Sequence, residues 1–197
     1  MGQADRQKTK KWLLMKITAG ELKSREIFTL KHLRLVESRI REVLSGLLSD
    51  EVRGKDVLDL FAGAGSLGIE ALSWGAGKSW FVDRDKRQVF LVRKNLSGLG
   101  LLSKAEVYSK DAFSAVEYFQ RTGKKFSLIF LDPPYNQGQL TKSLKTLSAY
   151  DILEPSGFIV SLGFYKEDAE CENLPCVFDR KYGDRRVKMF KKSAVKK

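Results

Sequence analysis

One stretch decides the fold: Lys55-Asp56-Val57-Leu58-Asp59-Leu60-Phe61-Ala62-Gly63-Ala64-Gly65-Ser66-Leu67-Gly68. Residues 55–61 read as a buried strand running into a glycine-rich turn. Residues 66–74 then read as a helix, closed by Gly75 and Gly77. Strand, glycine turn and helix in this order open a βαβ unit with a ligand at the turn.

The same alternation continues downstream. Strands are predicted over 79–83, 105–109, 126–131 and 158–162. Helices are predicted over 86–96, with Val89, Phe90, Val92 and Leu96 as its apolar residues, over 112–121, and over 140–153, the last stopping before Pro155-Ser156-Gly157. Two final strands, 177–178 and 186–190, follow one another across a turn near Gly183-Asp184. The pattern predicts an α/β fold with a seven-stranded, mainly parallel sheet ending in an antiparallel hairpin. Upstream, Met15 to Gly20 belongs to a short hairpin within residues 12–30. Residues 37–48 suit an amphipathic helix with Ile40, Val43, Leu44, Leu47 and Leu48 on one side. The expected division is a basic amino-terminal extension, residues 1–50, and a main domain, residues 51–197. Residues 1–11 are expected to be a flexible arm, and residues 188–197 a basic end that frays.

The chain has 197 residues, 36 Lys+Arg against 24 Asp+Glu and a formal net charge of +12, which suits a polyanionic partner. The only cysteines are Cys171 and Cys176 and the only histidine is His32, so neither a metal cluster nor a disulfide framework is expected. No apolar run approaches the roughly 20 residues of a membrane span, and no secretory leader is recognisable. A cytoplasmic monomer is the expectation.

Gly63-Ala64-Gly65-Ser66-Leu67-Gly68 matches G-x-G-x-x-G, and Asp83 follows about 20 residues later at the end of the next strand. Taken alone this fits a nicotinamide-dependent oxidoreductase. Asp59 points elsewhere. A carboxylate four residues before the first glycine would repel a pyrophosphate, but it would pair with the methionine ammonium of S-adenosylmethionine (SAM). On that reading Asp83 grips the ribose hydroxyls. Asp111, at the end of the third strand, either accepts from the adenine amino group or caps the following helix, and the two roles are compatible.

Leu128-Ile129-Phe130-Leu131 runs straight into Asp132-Pro133-Pro134-Tyr135. Two prolines remove two backbone donors and stiffen the turn. An exocyclic amino nitrogen attacks poorly because its lone pair is delocalised into the base. A carboxylate accepting one N–H and a proline carbonyl accepting the other favour the pyramidal nitrogen. Asp132 and Pro133 supply these two acceptors, Pro134 stiffens the turn, and Tyr135 stacks on an extruded base.

Asp59 to Ala76, the Phe81-Val82-Asp83 strand end and Asp132 to Tyr135 together resemble the RsmD-type methyltransferases, and the resemblance covers nearly the whole chain. Met15 to Arg25 resembles the family's basic amino-terminal segment, and Lys181 to Val187 its last hairpin. The resemblance implies a Rossmann-like SAM-dependent fold and transfer of a methyl group to a guanine N2 of bacterial 16S ribosomal RNA, within a 30S particle or an assembly intermediate. Asp59, Phe61, Gly63, Gly65, Asp83 and Asp111 would then hold SAM. The family's Arg-Pro-Thr and Asp-Arg-Val-Arg-Glu appear here as Arg34-Leu35-Val36 and Ser38-Arg39-Ile40-Arg41-Glu42. Arg39 and Arg41 are the expected phosphate contacts. The alternatives are an adenine-N6 DNA methyltransferase and a non-catalytic RNA-binding or assembly protein.

Overall fold

A computed structural model describes residues 12–31, 33, 35–135, 138–167 and 169–193. The expected flexible arm, His32 and the last four residues of the expected fraying end lie outside these.

The extension forms a hairpin of β1 (Trp12–Lys16) and β2 (Glu26–Leu30), followed by α1 (Ser38–Val52). The main unit follows as β3 (Asp56–Asp59), α2 (Ser66–Ser73), β4 (Lys78–Asp83), α3 (Lys86–Leu99), β5 (Ala105–Ser109), α4 (Ala112–Arg121), β6 (Phe126–Leu131), α5 (Gln139–Ala149), β7 (Leu153–Phe164), β8 (Cys176–Tyr182) and β9 (Arg185–Lys191). Seven strands form one sheet in the order β5-β4-β3-β6-β7-β9-β8. Because β9 pairs antiparallel with both β7 and β8, it alone runs against the other six.

Strand β6 explains the layering. All six of its residues are buried. Leu128 and Phe130 join the core beneath α1, α2 and α3, whereas Ile129 and Leu131 join the core beneath α4 and α5. A strand buried on both faces needs a continuous apolar run, as these residues supply. Met15, Ile17, Ile27 and Val36 of the extension belong to the first core, which therefore runs across the boundary expected at residue 50.

Four expectations need correction. Residues 188–191 do not fray: they complete β9, with Lys188, Met189 and Phe190 buried and paired to β7. Helix α5 stops at Ala149, because Ile152 and Leu153 are drawn into the sheet: Ile152 O accepts the N–H of Phe126, and Leu153 pairs with Phe126. Pro155-Ser156-Gly157 is therefore a bulge inside β7, with Ser156 at φ +62°, and not a turn between elements. Two apolar helix positions face outward, Leu47 (43% exposed) and Phe90 (62%); Leu91 takes the buried place on α3.

Candidate functional site

Strands β3 and β6 lie side by side, with Asp59 opposite Phe130. From β3 the sheet order runs outward through β4 to β5, and from β6 it runs the other way through β7. The crevice beyond the carboxyl ends of these two central strands is where ligands bind in open α/β sheets. Here it is a cavity of about 430 Å³, within the range of small-molecule sites.

One wall is the glycine turn. Ala62 N–H donates to Val82 O (2.9 Å) and Gly65 N–H to Ala62 O (2.6 Å), folding the backbone sharply. Gly63 and Gly65 adopt φ of +55° and +82°, which a side chain would strain. The third glycine serves packing: a Cβ on Gly68 would lie 2.3 Å from Cε1 of Phe81. Phe61 and Gly63 line the cavity, whereas Gly65 sits behind it against Val92, Ile69 and Phe81.

Asp59 is buried, and its Oδ2 accepts the N–H of Gly68 at 3.0 Å. Burial pushes its pKa up to about 7; the Gly68 hydrogen bond opposes the rise, and the nearby Asp132 and Asp83 add to it. Asp83 Oδ2 accepts the N–H of Gly63 (2.9 Å) and its Oδ1 that of Asp85 (2.8 Å). Partial burial raises its pKa as well, against these two hydrogen bonds. Asp111 caps α4 by accepting from Phe113 and Ser114, and it also lines the cavity.

Asp132, Pro133, Pro134 and Tyr135 form the opposite wall. Pro133 is buried and Pro134 exposed. The Tyr135 ring packs against Phe164, with centroids 5.9 Å apart. Asp132 Oδ1 is held at 2.8 Å by Nη1 of Arg185, a fully buried residue at the start of β9. Arg185 is the site residue that motif reading missed. Its signal was strand alternation, because Arg185 shares the inward face of β9 with Val187 and Met189.

Arg41 corrects the expected phosphate contacts. It is 5% exposed; Nη1 donates to Glu70 Oε1 (2.5 Å) and Lys16 O (2.8 Å), and Nε to Val36 O (3.1 Å). Glu70 also accepts from the N–H and hydroxyl of Thr18. The guanidinium thus fastens the extension to α2, because a charge on the inward face of α1 must be paired. Arg39, two residues earlier, is exposed and lies 6.0 Å from the Tyr182 ring in a second cavity shared with Arg180 and Lys181.

The cavity fits SAM better than a dinucleotide. Among the described residues five carboxylates, Asp59, Asp83, Asp85, Asp111 and Asp132, line it beside a backbone turn that permits close approach. Together they would repel a pyrophosphate, and Asp59 and Asp83 would accept hydrogen bonds from an ammonium and from sugar hydroxyls.

The sequence matches the family described as Conserved hypothetical protein 95 over residues 15–191. The YlbH protein of Bacillus subtilis (strain 168) is 36% identical over 187 residues, covering 90% of this chain and 99% of the relative. Ribosomal RNA small subunit methyltransferase D of Escherichia coli (strain K12) is 31% identical over 146 residues, covering 74% and 69% of the two chains. The solved structure of the yhhF protein of Escherichia coli superposes with a TM-score of 0.81 at 25% identity, covering 92% of this chain and 99% of that one.

Proposed function

The chain belongs to the Conserved hypothetical protein 95 family, the RsmD-type methyltransferases, and on that premise we propose that it methylates the exocyclic N2 amino group of a guanine in small-subunit ribosomal RNA, with SAM as donor. One observation carries this reading: Asp132-Pro133-Pro134-Tyr135 faces the Gly63 turn, Asp59 and Asp83 across a single cavity at the switch point of the sheet. A dehydrogenase would leave the Asp-Pro-Pro-Tyr wall without a task.

SAM supplies a methyl group on a sulfonium, a good leaving group, so no covalent intermediate with the chain is required. Asp59 pairs with the methionine ammonium, Asp83 with the ribose hydroxyls and Asp111 with the adenine amino group; Phe61 gives an apolar wall. Across the cavity, Asp132 and the Pro133 carbonyl each accept one N–H of the guanine amino group. This draws the lone pair out of conjugation with the base and aims it into the cavity, and the N–H proton that the methylated nitrogen sheds passes to Asp132 or, after transfer, to solvent. Tyr135 offers a ring face to the extruded base. The excess of basic residues suits the RNA backbone, and exposed Arg39 is one phosphate contact.

The test incubates the full chain with methyl-labelled SAM and, separately, naked ribosomal RNA, 30S particles and duplex DNA, followed by nucleoside analysis. Label in N2-methylguanosine from either RNA substrate is expected. Label in N6-methyladenine of DNA overturns the guanine reading, and loss of SAM binding by calorimetry overturns the methyltransferase reading altogether.

A further inference from the structure

We propose that Arg185 is the positioning residue of this site, setting the side chains of Asp132 and Tyr135 from beneath while two prolines set their backbone. The inference rests on the methyltransferase reading above and adds a residue to it. Proline fixes φ and removes a donor, but it leaves the χ angles of its neighbours undetermined. Asp132 and Tyr135 flank the proline pair, so an outside group must select their rotamers.

Arg185 is placed to do so. It is fully buried; Nη1 donates to Asp132 Oδ1 at 2.8 Å, and the guanidinium carbon lies 5.6 Å from the centroid of the Tyr135 ring. Nη2 donates to Leu35 O at 3.3 Å, just before α1. Nε has no hydrogen-bond partner among the described residues; Glu37 Oε2 is 3.9 Å away.

Stability does not call for such a group. A buried ion pair is often no more stabilising than apolar residues of the same volume, whereas a planar fork fixes direction. One cation therefore orients the acceptor and the stacking ring together and registers the segment before α1 against both.

The test compares wild type with Arg185→Met, Arg185→Lys and Arg185→Ala, reading turnover on ribosomal RNA or 30S particles, SAM affinity and melting temperature. For Arg185→Met, kcat is expected to fall on the order of 100-fold, as a misplaced reacting group does, with KM for RNA and SAM affinity within about threefold of wild type. Added guanidinium, below denaturing concentration, should restore part of the turnover of Arg185→Ala but none of that of Asp132→Ala. If Arg185→Met does not fold, Arg185→Lys decides: it keeps the charge without the fork, and about a tenfold loss in kcat is expected. A folded variant with wild-type kcat overturns the assignment alone. A wild-type chain that labels no RNA overturns the assignment together with the reading beneath it.

Discussion

The Asp59 carboxylate accepts the backbone N–H of Gly68 at 3.0 Å, tying the end of β3 to the third glycine of the turn. One hydrogen bond is poor compensation for full burial, and Asp132 and Asp83 add negative charge nearby, so the carboxyl titrates near 7 instead of near 3.8. The folded chain therefore holds this proton more tightly than the unfolded chain does. Between these two values the unfolded state ionises first and is favoured as pH rises. The ligand-free protein is expected to lose stability from this group between about pH 4 and about pH 7 and to level off above. Asp59→Asn keeps an acceptor for Gly68 and removes the charge. It should melt above wild type at about pH 8 and level with it near pH 4. Parallel melting curves across the range would refute the assignment.

The same carboxylate should make SAM binding pH-dependent. An ammonium partner favours the ionised form, so binding below about pH 7 should release a proton. Calorimetry in buffers of different ionisation enthalpy reads this directly. Asp59→Asn should bind more weakly and show no buffer dependence; a wild-type enthalpy independent of buffer would exclude Asp59 from the ammonium contact.

Asp132 separates binding from transfer. Asp132→Ala should leave SAM affinity within about threefold while turnover falls on the order of 100-fold or more, because the lost acceptor acts only on the attacking nitrogen. Its melting temperature should also drop, since Arg185 is left buried without its carboxylate. Unchanged turnover would remove Asp132 from the chemistry.

Gly68 is a packing glycine. A methyl group there would meet the Phe81 ring at 2.3 Å, and overpacking of this kind costs about 1–3 kcal/mol. Urea unfolding of Gly68→Ala should show that loss. Phe81→Leu in the same chain should return part of it, a non-additivity expected of touching residues. Strictly additive losses would show that α2 does not bear on β4 through this contact.

The two walls of the cavity were legible because each is local: a glycine turn and a proline-stiffened turn, both directly after apolar strands. What escaped was non-local. The bulge at Pro155-Ser156-Gly157 carries the signature of a turn, and only the pairing of Leu153 with Phe126 makes it an interruption within one strand. Arg185 lies within Lys181 to Val187, the stretch that resembles the family's last hairpin, but nothing local assigns it a role; that role arises because β9 inserts between β7 and β8 and brings its first residue against Asp132. Arg41 looked like a surface cation because Glu70, its partner, is 29 residues away and sits on the helix of the glycine turn, where motif reading saw only the turn.

Arg39 and Arg41 should consequently behave as opposites, although they are two positions apart on α1. Arg41→Ala leaves Glu70 buried without a cation, a loss of about 3–5 kcal/mol. Its effect should appear in thermal or urea unfolding, and under conditions where the variant is folded the salt dependence of RNA binding should match wild type. Arg39 is exposed beside Tyr182, Arg180 and Lys181. Arg39→Ala should leave the melting temperature unchanged, weaken binding to ribosomal RNA and reduce the slope of log K against log salt by about 1, the loss of one phosphate contact. A salt slope that changes with Arg41 and not with Arg39 would reverse the assignment and move the RNA path from the surface of α1 to the seam between the extension and α2.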